Sequence, residues 1–277
     1  MVVFRRSTPL ERHSIGRGEA WVKRDDLFAR WPAPPLGKLR GARTLLRRLY
    51  GEGVRLVGCW DTRISALGQG IAVCARELPG LRVLVAYPAT RGSMVPEPLR
   101  IASELGAEVL PVRAGRISIS FAEARRRVES RGGVLLPFGL DCIESVAAIQ
   151  KESAKIPDQA VQGGTVVVSC GSGVTLAGLI RGLGHRPSRY IGVSSGRSVG
   201  MIERCLSKYV ENCLDNVDII PAEHAYAEEL AISCPFPSHP NYDQKAWDFL
   251  QRNFRSLRTP ILFWNVGAAG SGRGNLK

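Results

Sequence analysis

Lysine is scarce in this chain: 7 residues against 31 arginines. One of the seven, Lys38, follows Pro34-Pro35-Leu36-Gly37 and opens the helical run Leu39-Arg40-Gly41-Ala42. An amine held at a loop-to-helix junction can form a Schiff base with a carbonyl cofactor. A second segment able to do chemistry runs from Gly163 to Gly178. It reads as a strand, a glycine-rich turn (Gly171-Ser172-Gly173) and a helix start at Val174-Thr175. Glycines let the backbone turn sharply and approach a ligand closely. The free N–H groups and positive dipole end of the helix then favour a phosphate. Ser172 and Thr175 add hydroxyl donors. The spacing matches neither G-x-x-x-x-G-K-[ST] nor G-x-G-x-x-G, which disfavours a Walker loop and a dinucleotide fingerprint alike. The plain alternative is a tight strand-to-helix turn with no ligand.

The elements that must position these residues alternate. Strands are expected at 55–59, 82–87, 108–112, 134–137, 165–169, 190–193 and 260–264. Helices are expected at 38–50, 65–78, 96–105, 121–130, 142–154, 174–182, 201–210 and 243–253. Strands alternating with helices predict an α/β fold with parallel sheets covered on both faces. The runs Val83-Leu84-Val85-Ala86 and Val166-Val167-Val168 suit strands buried on both sides. The stretch from Gly267 to Gly274 reads as a flexible tail.

At 277 residues the chain is long enough for one large or two modest domains and for a core that needs no metal or disulfide. Seven scattered cysteines without a C-x-x-C pair imply reduced thiols, a cytoplasmic setting and no zinc site. No segment has the length and apolarity of a membrane span, and Met1–Arg6 lacks the apolar run of a signal peptide. The formal charge is +13, which leaves nucleic acid open as a partner. Against this, the basic residues are dispersed along the sequence, and Arg47-Arg48 and Arg125-Arg126-Arg127 look like solvated helix faces.

Lys38 and the glycine loop together resemble the fold type II pyridoxal-phosphate enzymes, the tryptophan synthase β-like group. Thr8–Arg12 followed by Trp21-Val22-Lys23-Arg24-Asp25-Asp26-Leu27 is similar to the N-terminal segment of the aminocyclopropane-carboxylate deaminase and D-cysteine desulfhydrase branch. Gly37-Lys38-Leu39-Arg40-Gly41-Ala42 resembles the Schiff-base segment, equally so that of the serine/threonine dehydratases. Ser65–Ala72 resembles the family's asparagine loop and following helix, and Gly171–Thr175 the cofactor-phosphate loop. His239–Ala246 is similar to the deaminase-branch segment near the pyridine ring, and Ile261–Gly267 to the closing strand.

The resemblance covers most of the chain. It implies two parallel-sheet αβα domains with the active site in the cleft between them. Residues 1–52 and 151–277 would form the large domain and 53–150 a small inserted one. It implies pyridoxal 5'-phosphate as cofactor and a homodimer. Lys38 would hold the cofactor and shuttle a proton at the substrate Cα. Gly171, Ser172, Gly173, Val174 and Thr175 would hold its phosphate. Asp243 would face the pyridine nitrogen, or else serve only as a favourable charge at a helix N-terminus. Tyr242 and Ser65 would act on protons or the substrate carboxylate, or else be a core aromatic and a helix cap.

Three positions depart from the pattern. Ala66 stands where the family has asparagine, Gly37 where the branch has asparagine, and Asn265-Val266-Gly267-Ala268 where the family closes with His-Thr-Gly-Gly. The expected activity is carbanion chemistry at the Cα of a small amino acid or amine, as a lyase, deaminase or isomerase. One alternative is the same chemistry on an amino acid or amine attached to nucleic acid, as in DNA base modification. A non-catalytic binding protein on the same fold is another, and a plain phosphate-binding protein using only the glycine loop a third.

Overall fold

The computed structural model describes residues 3–211, 215–221 and 223–269. Cys213 and the glycine-rich stretch after Ala269 lie outside them. In chain order the regular elements begin with β1 (Leu10–Ile15), β2 (Gly18–Arg24), α1 (Leu39–Gly51), β3 (Leu56–Trp60) and α2 (Leu67–Ala75). Next come β4 (Arg82–Ala89), α3 (Glu97–Glu104), β5 (Glu108–Arg113), α4 (Ile117–Glu129), β6 (Val134–Leu135) and α5 (Ile143–Ser153). The chain continues with β7 (Thr165–Cys170), α6 (Val174–Leu183), β8 (Arg189–Ser194), α7 (Val199–Leu206), β9 (Val217–Ile220), α8 (Asp243–Asn253) and β10 (Ile261–Asn265).

These elements form two compact units. The smaller comprises residues 29–140 with Val3, and the larger Phe4–Phe28 with Asp141–Ala269. The smaller unit holds a four-stranded parallel sheet in the order β5-β4-β3-β6. Its core gathers Leu56, Trp60, Leu84, Ala86, Val112, Ala124 and Val128. The larger unit holds six strands in the order β1-β2-β10-β7-β8-β9, parallel except for the β1–β2 hairpin. Trp247, Leu250, Phe236 and Phe263 dominate the core on one face of that sheet. Val83–Ala86 and Val166–Val168 are buried, as strands covered on both faces must be.

The unit boundaries differ from those expected. Residues 29–52 group with the smaller unit because α1 packs on α2, and residues 141–150 with the larger because α5 packs on α6. Helix α4 begins at Ile117, earlier than the expected 121, and α7 at Val199. Strands β1, β2 and β9 were not foreseen. The end of β2 is buried although it reads Lys-Arg, because every charge there has a partner. Lys23 Nζ lies 2.6 Å from Glu152 Oε1 and donates to the Thr8 carbonyl, while Arg24 makes a forked pair with Asp26 and reaches Glu11. Breaking one member of such a pair would strand a buried charge. The expected flexible tail does not begin at Gly267. Val266, Gly267 and Ala268 are buried, and the Gly267 carbonyl accepts the His239 N–H.

Candidate active site

In the smaller unit Lys38 stands at the N-cap of α1. Its neighbour Leu39 is buried against α2, where Gly70 leaves it room: a Cβ at 70 would lie 2.3 Å from Leu39 Cδ2. This close crossing fixes the start of α1 beside the loop that follows β3. That loop carries Ser65 and Ala66, and its anchor is Asp61, which is 2 % exposed. Asp61 Oδ1 accepts the Thr62 N–H at 2.9 Å and Oδ2 the Gly68 N–H at 2.6 Å. The Ser65 hydroxyl bonds to the same carboxylate and accepts the Leu67 N–H at 3.2 Å. Burial pushes the Asp61 carboxyl up, opposed by these hydrogen bonds and by the charge of Lys38. Lys38, Ser65 and Asp61 thus form one electrostatic group. Asp61 belongs to no motif. The signal that could have found it is an acid directly after a buried strand and four residues before the serine.

In the larger unit the glycine loop and the segment that holds Asp243 follow two adjacent central strands at the same end of the sheet. Strands β10 and β7 pair in parallel with Trp264 opposite Val168, so Asn265–Gly267 and Cys170–Gly173 emerge side by side. Gly173 caps α6 with φ +91°, a conformation costing other residues about 1–2 kcal/mol. A Cβ at Gly171 would meet open space. Ser172 is 3 % exposed, and its buried hydroxyl has no hydrogen-bond partner among the described residues. An orphaned donor beside the first-turn N–H groups of a ten-residue helix fits an anion such as a cofactor phosphate. Val174 and Thr175 are buried in that first turn.

Asp243 is buried at the start of α8, and its oxygens accept the N–H groups of Val266 (2.9 Å) and Gly267 (3.2 Å). It therefore ties α8 to the end of β10. Asn265 is fully buried, its amide oxygen accepting from the Ser238 hydroxyl and its Nδ2 donating to the Pro237 carbonyl. The Tyr242 hydroxyl meets the Tyr226 hydroxyl at 2.6 Å, and the His239 ring packs on Tyr242. Tyr226 sits in a segment without regular structure, which gave it no sequence signal. Buried side chains hold that segment by its backbone: Lys245 Nζ donates to the Ala225 and Tyr226 carbonyls, and Asn241 Nδ2 to those of Ala227 and Glu228. Burial pushes the Cys59, Cys74 and Cys205 thiols up, the latter two to about 12, so none of the three is a nucleophile at neutral pH.

Two parallel-sheet units of this topology recur among solved pyridoxal-phosphate enzymes. A structure of an ACC deaminase homologue superposes with a TM-score of 0.80 at 20% identity, over 95% of this chain and 90% of that one. A threonine deaminase from T.th. gives 0.70 at 19% identity, over 95% and 92%. The chain has the fold of the fold type II pyridoxal-phosphate enzymes. In sequence it is 28% identical over 278 residues to the glycyl-dTMP PLP-dependent decarboxylase of Pseudomonas phage M6, covering 94% of this chain and 98% of that protein. No protein-family model matches.

Proposed function

We propose that this chain is a pyridoxal-phosphate-dependent enzyme that breaks a bond at the Cα of an amino acid carried on a nucleotide, and that the bond is the one to the carboxylate. The buried Ser172 hydroxyl at the glycine turn, without a hydrogen-bond partner among the described residues, carries the cofactor reading. The substrate reading is supported by the near full-length similarity to a decarboxylase of a glycyl-dTMP.

Pyridoxal phosphate, when bound, supplies a sink for the electron pair left at Cα. Lys38 would hold its aldehyde carbon, and Gly171–Thr175 its phosphate. Asp61 fixes the Ser65 hydroxyl and sets a negative charge near Lys38, which fits Ser65 for orienting the substrate beside that amine. As the carboxylate leaves as CO2, Cα keeps the bonding pair and takes a proton, for which Lys38 is the donor. Tyr242, bonded to Tyr226, would act as the acid, base or electrostatic partner that the resemblance implies. Asp243 would face the ring nitrogen, where a carboxylate keeps that nitrogen protonated.

The test is direct. Protein loaded with pyridoxal phosphate should absorb in the visible, and borohydride followed by peptide mass mapping should place the adduct on Lys38. Loaded protein given an oligonucleotide bearing a glycyl-thymine should lower its mass by that of CO2. An unmodified Lys38 in loaded, reduced protein would sink the cofactor reading. A labelled Lys38 with the glycyl group untouched would sink the choice of substrate.

A further inference from the structure

The positive charge of this protein belongs almost wholly to one unit. Residues 29–140 contain 18 lysines and arginines against 8 acids, a net +10, whereas Phe4–Phe28 with Asp141–Ala269 contain 18 against 17, a net +1. The basic side chains are evenly divided, 18 to each unit, and it is the acids that are not, 8 against 17.

Within the smaller unit four of the eight acids are paired away from one rim, where Asp61 is buried and Glu97, opening α3, is exposed. Glu77 takes Arg43 and Arg47, Glu52 takes Arg48, Glu123 takes Arg127 and Glu108 takes Arg131. The rim in question is the edge where β3, β4 and β5 end. Strands β4 and β5 run in parallel with Ala89 opposite Arg113, so the loops at 89–96 and 113–116 are neighbours. Arg63, in the loop that carries Ser65, donates to Ser93 Oγ and the Met94 carbonyl and joins the rim to the candidate site. Arg91, Arg113 and Arg116 are exposed and form no ion pair or hydrogen bond through their side chains among the described residues. The one acid in these loops, Asp61, is buried. Beside the arginines stand large apolar side chains in the open: Met94 is 85% exposed, Ile119 65% and Ile117 55%.

We propose that this rim is a DNA-contact surface, on which Arg91, Arg113 and Arg116 meet backbone phosphates while Met94, Ile117 and Ile119 lie against sugars or an exposed base. The inference rests on the reading of a nucleotide-linked substrate and makes its carrier a polynucleotide. A free nucleoside monophosphate has one phosphate group to offer, too few for three separate arginines lying outside the site loop. Self-association is a poor match, because a two-fold contact centred here would set each arginine patch against its own copy. An enzyme acting on a base of DNA takes single-stranded substrate or draws the base out of the duplex stack, and exposed apolar side chains beside the site loop suit an unstacked base.

The experiment measures binding of cofactor-loaded protein to an unmodified, thymidine-containing oligonucleotide of about 30 nucleotides, duplex and single-stranded, between about 50 and 200 mM salt. Each phosphate contact contributes about 0.9 to the log–log salt slope on duplex and about 0.7 on single strands. Replacing Arg91, Arg113 and Arg116 together by alanine should therefore make the slope shallower by about 2–3. Replacing all three by lysine should keep the slope, which separates lost charge from lost folding. Ile119→Ser should weaken binding at every salt concentration with the slope unchanged. The proposal is overturned if wild-type protein binds neither form at low salt, if the triple alanine variant keeps the wild-type slope, or if Arg255→Ala with Arg258→Ala in the larger unit lowers the slope as much. It is also overturned if the rim variants convert a dimer to monomers in sedimentation. Borohydride labelling of Lys38 on the same preparation keeps the failures apart. Labelled protein without DNA binding loses only the rim, whereas unlabelled protein loses the proposed function whatever the DNA result.

Discussion

Ser172 makes the presence or absence of an anion measurable at a single atom. Among the described residues its buried hydroxyl meets no protein acceptor, so Ser172→Ala breaks no bond within the fold. The variant should unfold in urea at or slightly above the wild-type midpoint. Its affinity for pyridoxal phosphate should nevertheless fall by roughly 10- to 150-fold, the loss of one hydrogen bond to a charged group worth about 1.5–3 kcal/mol. A drop in both stability and affinity would mean that the serine is only a turn residue. Asp61 makes the opposite prediction. Its two oxygens receive the Thr62 and Gly68 N–H groups, and an amide in its place must turn its own NH2 against one of them. Asp61→Asn should destabilise the cofactor-free protein by about 1–3 kcal/mol in urea unfolding. An unchanged midpoint would remove Asp61 from the account of how the Ser65 loop is held.

At the scale of elements, Asp141 joins the start of α5 to the end of α7. It accepts from Tyr209 at 2.7 Å and pairs with Lys208. Burial pushes its carboxyl up, but the bonds from Lys208 and Tyr209 outweigh that and leave it below its ordinary value of 3.8. A carboxyl lowered in the folded state contributes stability that is present above its unfolded pKa and lost as pH falls through the folded one. Thermal unfolding should show Asp141→Asn less stable than wild type at neutral pH, with the gap closing below pH 3.8. A gap independent of pH would show that packing, not the charge, is what the residue supplies. The elements that sequence makes legible are those whose burial is written in apolar runs, such as β4, β7 and β10, or bounded by clear signals, such as α8, whose observed limits are the expected ones. Strand β2 is illegible because its Lys23 and Arg24 are buried by virtue of partners 129 and 2 residues away, Glu152 and Asp26. The candidate site divides similarly. Lys38 and the glycine turn are visible as residue types in order, whereas Asp61 and Tyr226 acquire meaning only from the side chains they meet.

For the whole molecule, the segregation of charge has a cost that salt should reveal. A unit with a net +10 repels itself, and screening shortens that repulsion to about 8 Å at physiological ionic strength. The melting temperature should therefore rise between about 10 and 150 mM salt at fixed pH. A fall would mean that the ion pairs at Glu77, Glu52, Glu123 and Glu108 outweigh the repulsion. Chain order adds a consequence of a different kind. Apart from Val3, the described residues of the smaller unit run without a break from 29 to 140, but in the larger unit β2 takes β10 as its parallel neighbour, with Trp21 opposite Leu262. During synthesis at about 5–20 residues per second, β2 must wait tens of seconds for that partner. An open strand edge is a template for aggregation, and inward-pointing charge is one way to blunt it. Lys23 and Arg24, at the waiting end of β2, would protect the nascent chain through the interval in which its sheet cannot yet close.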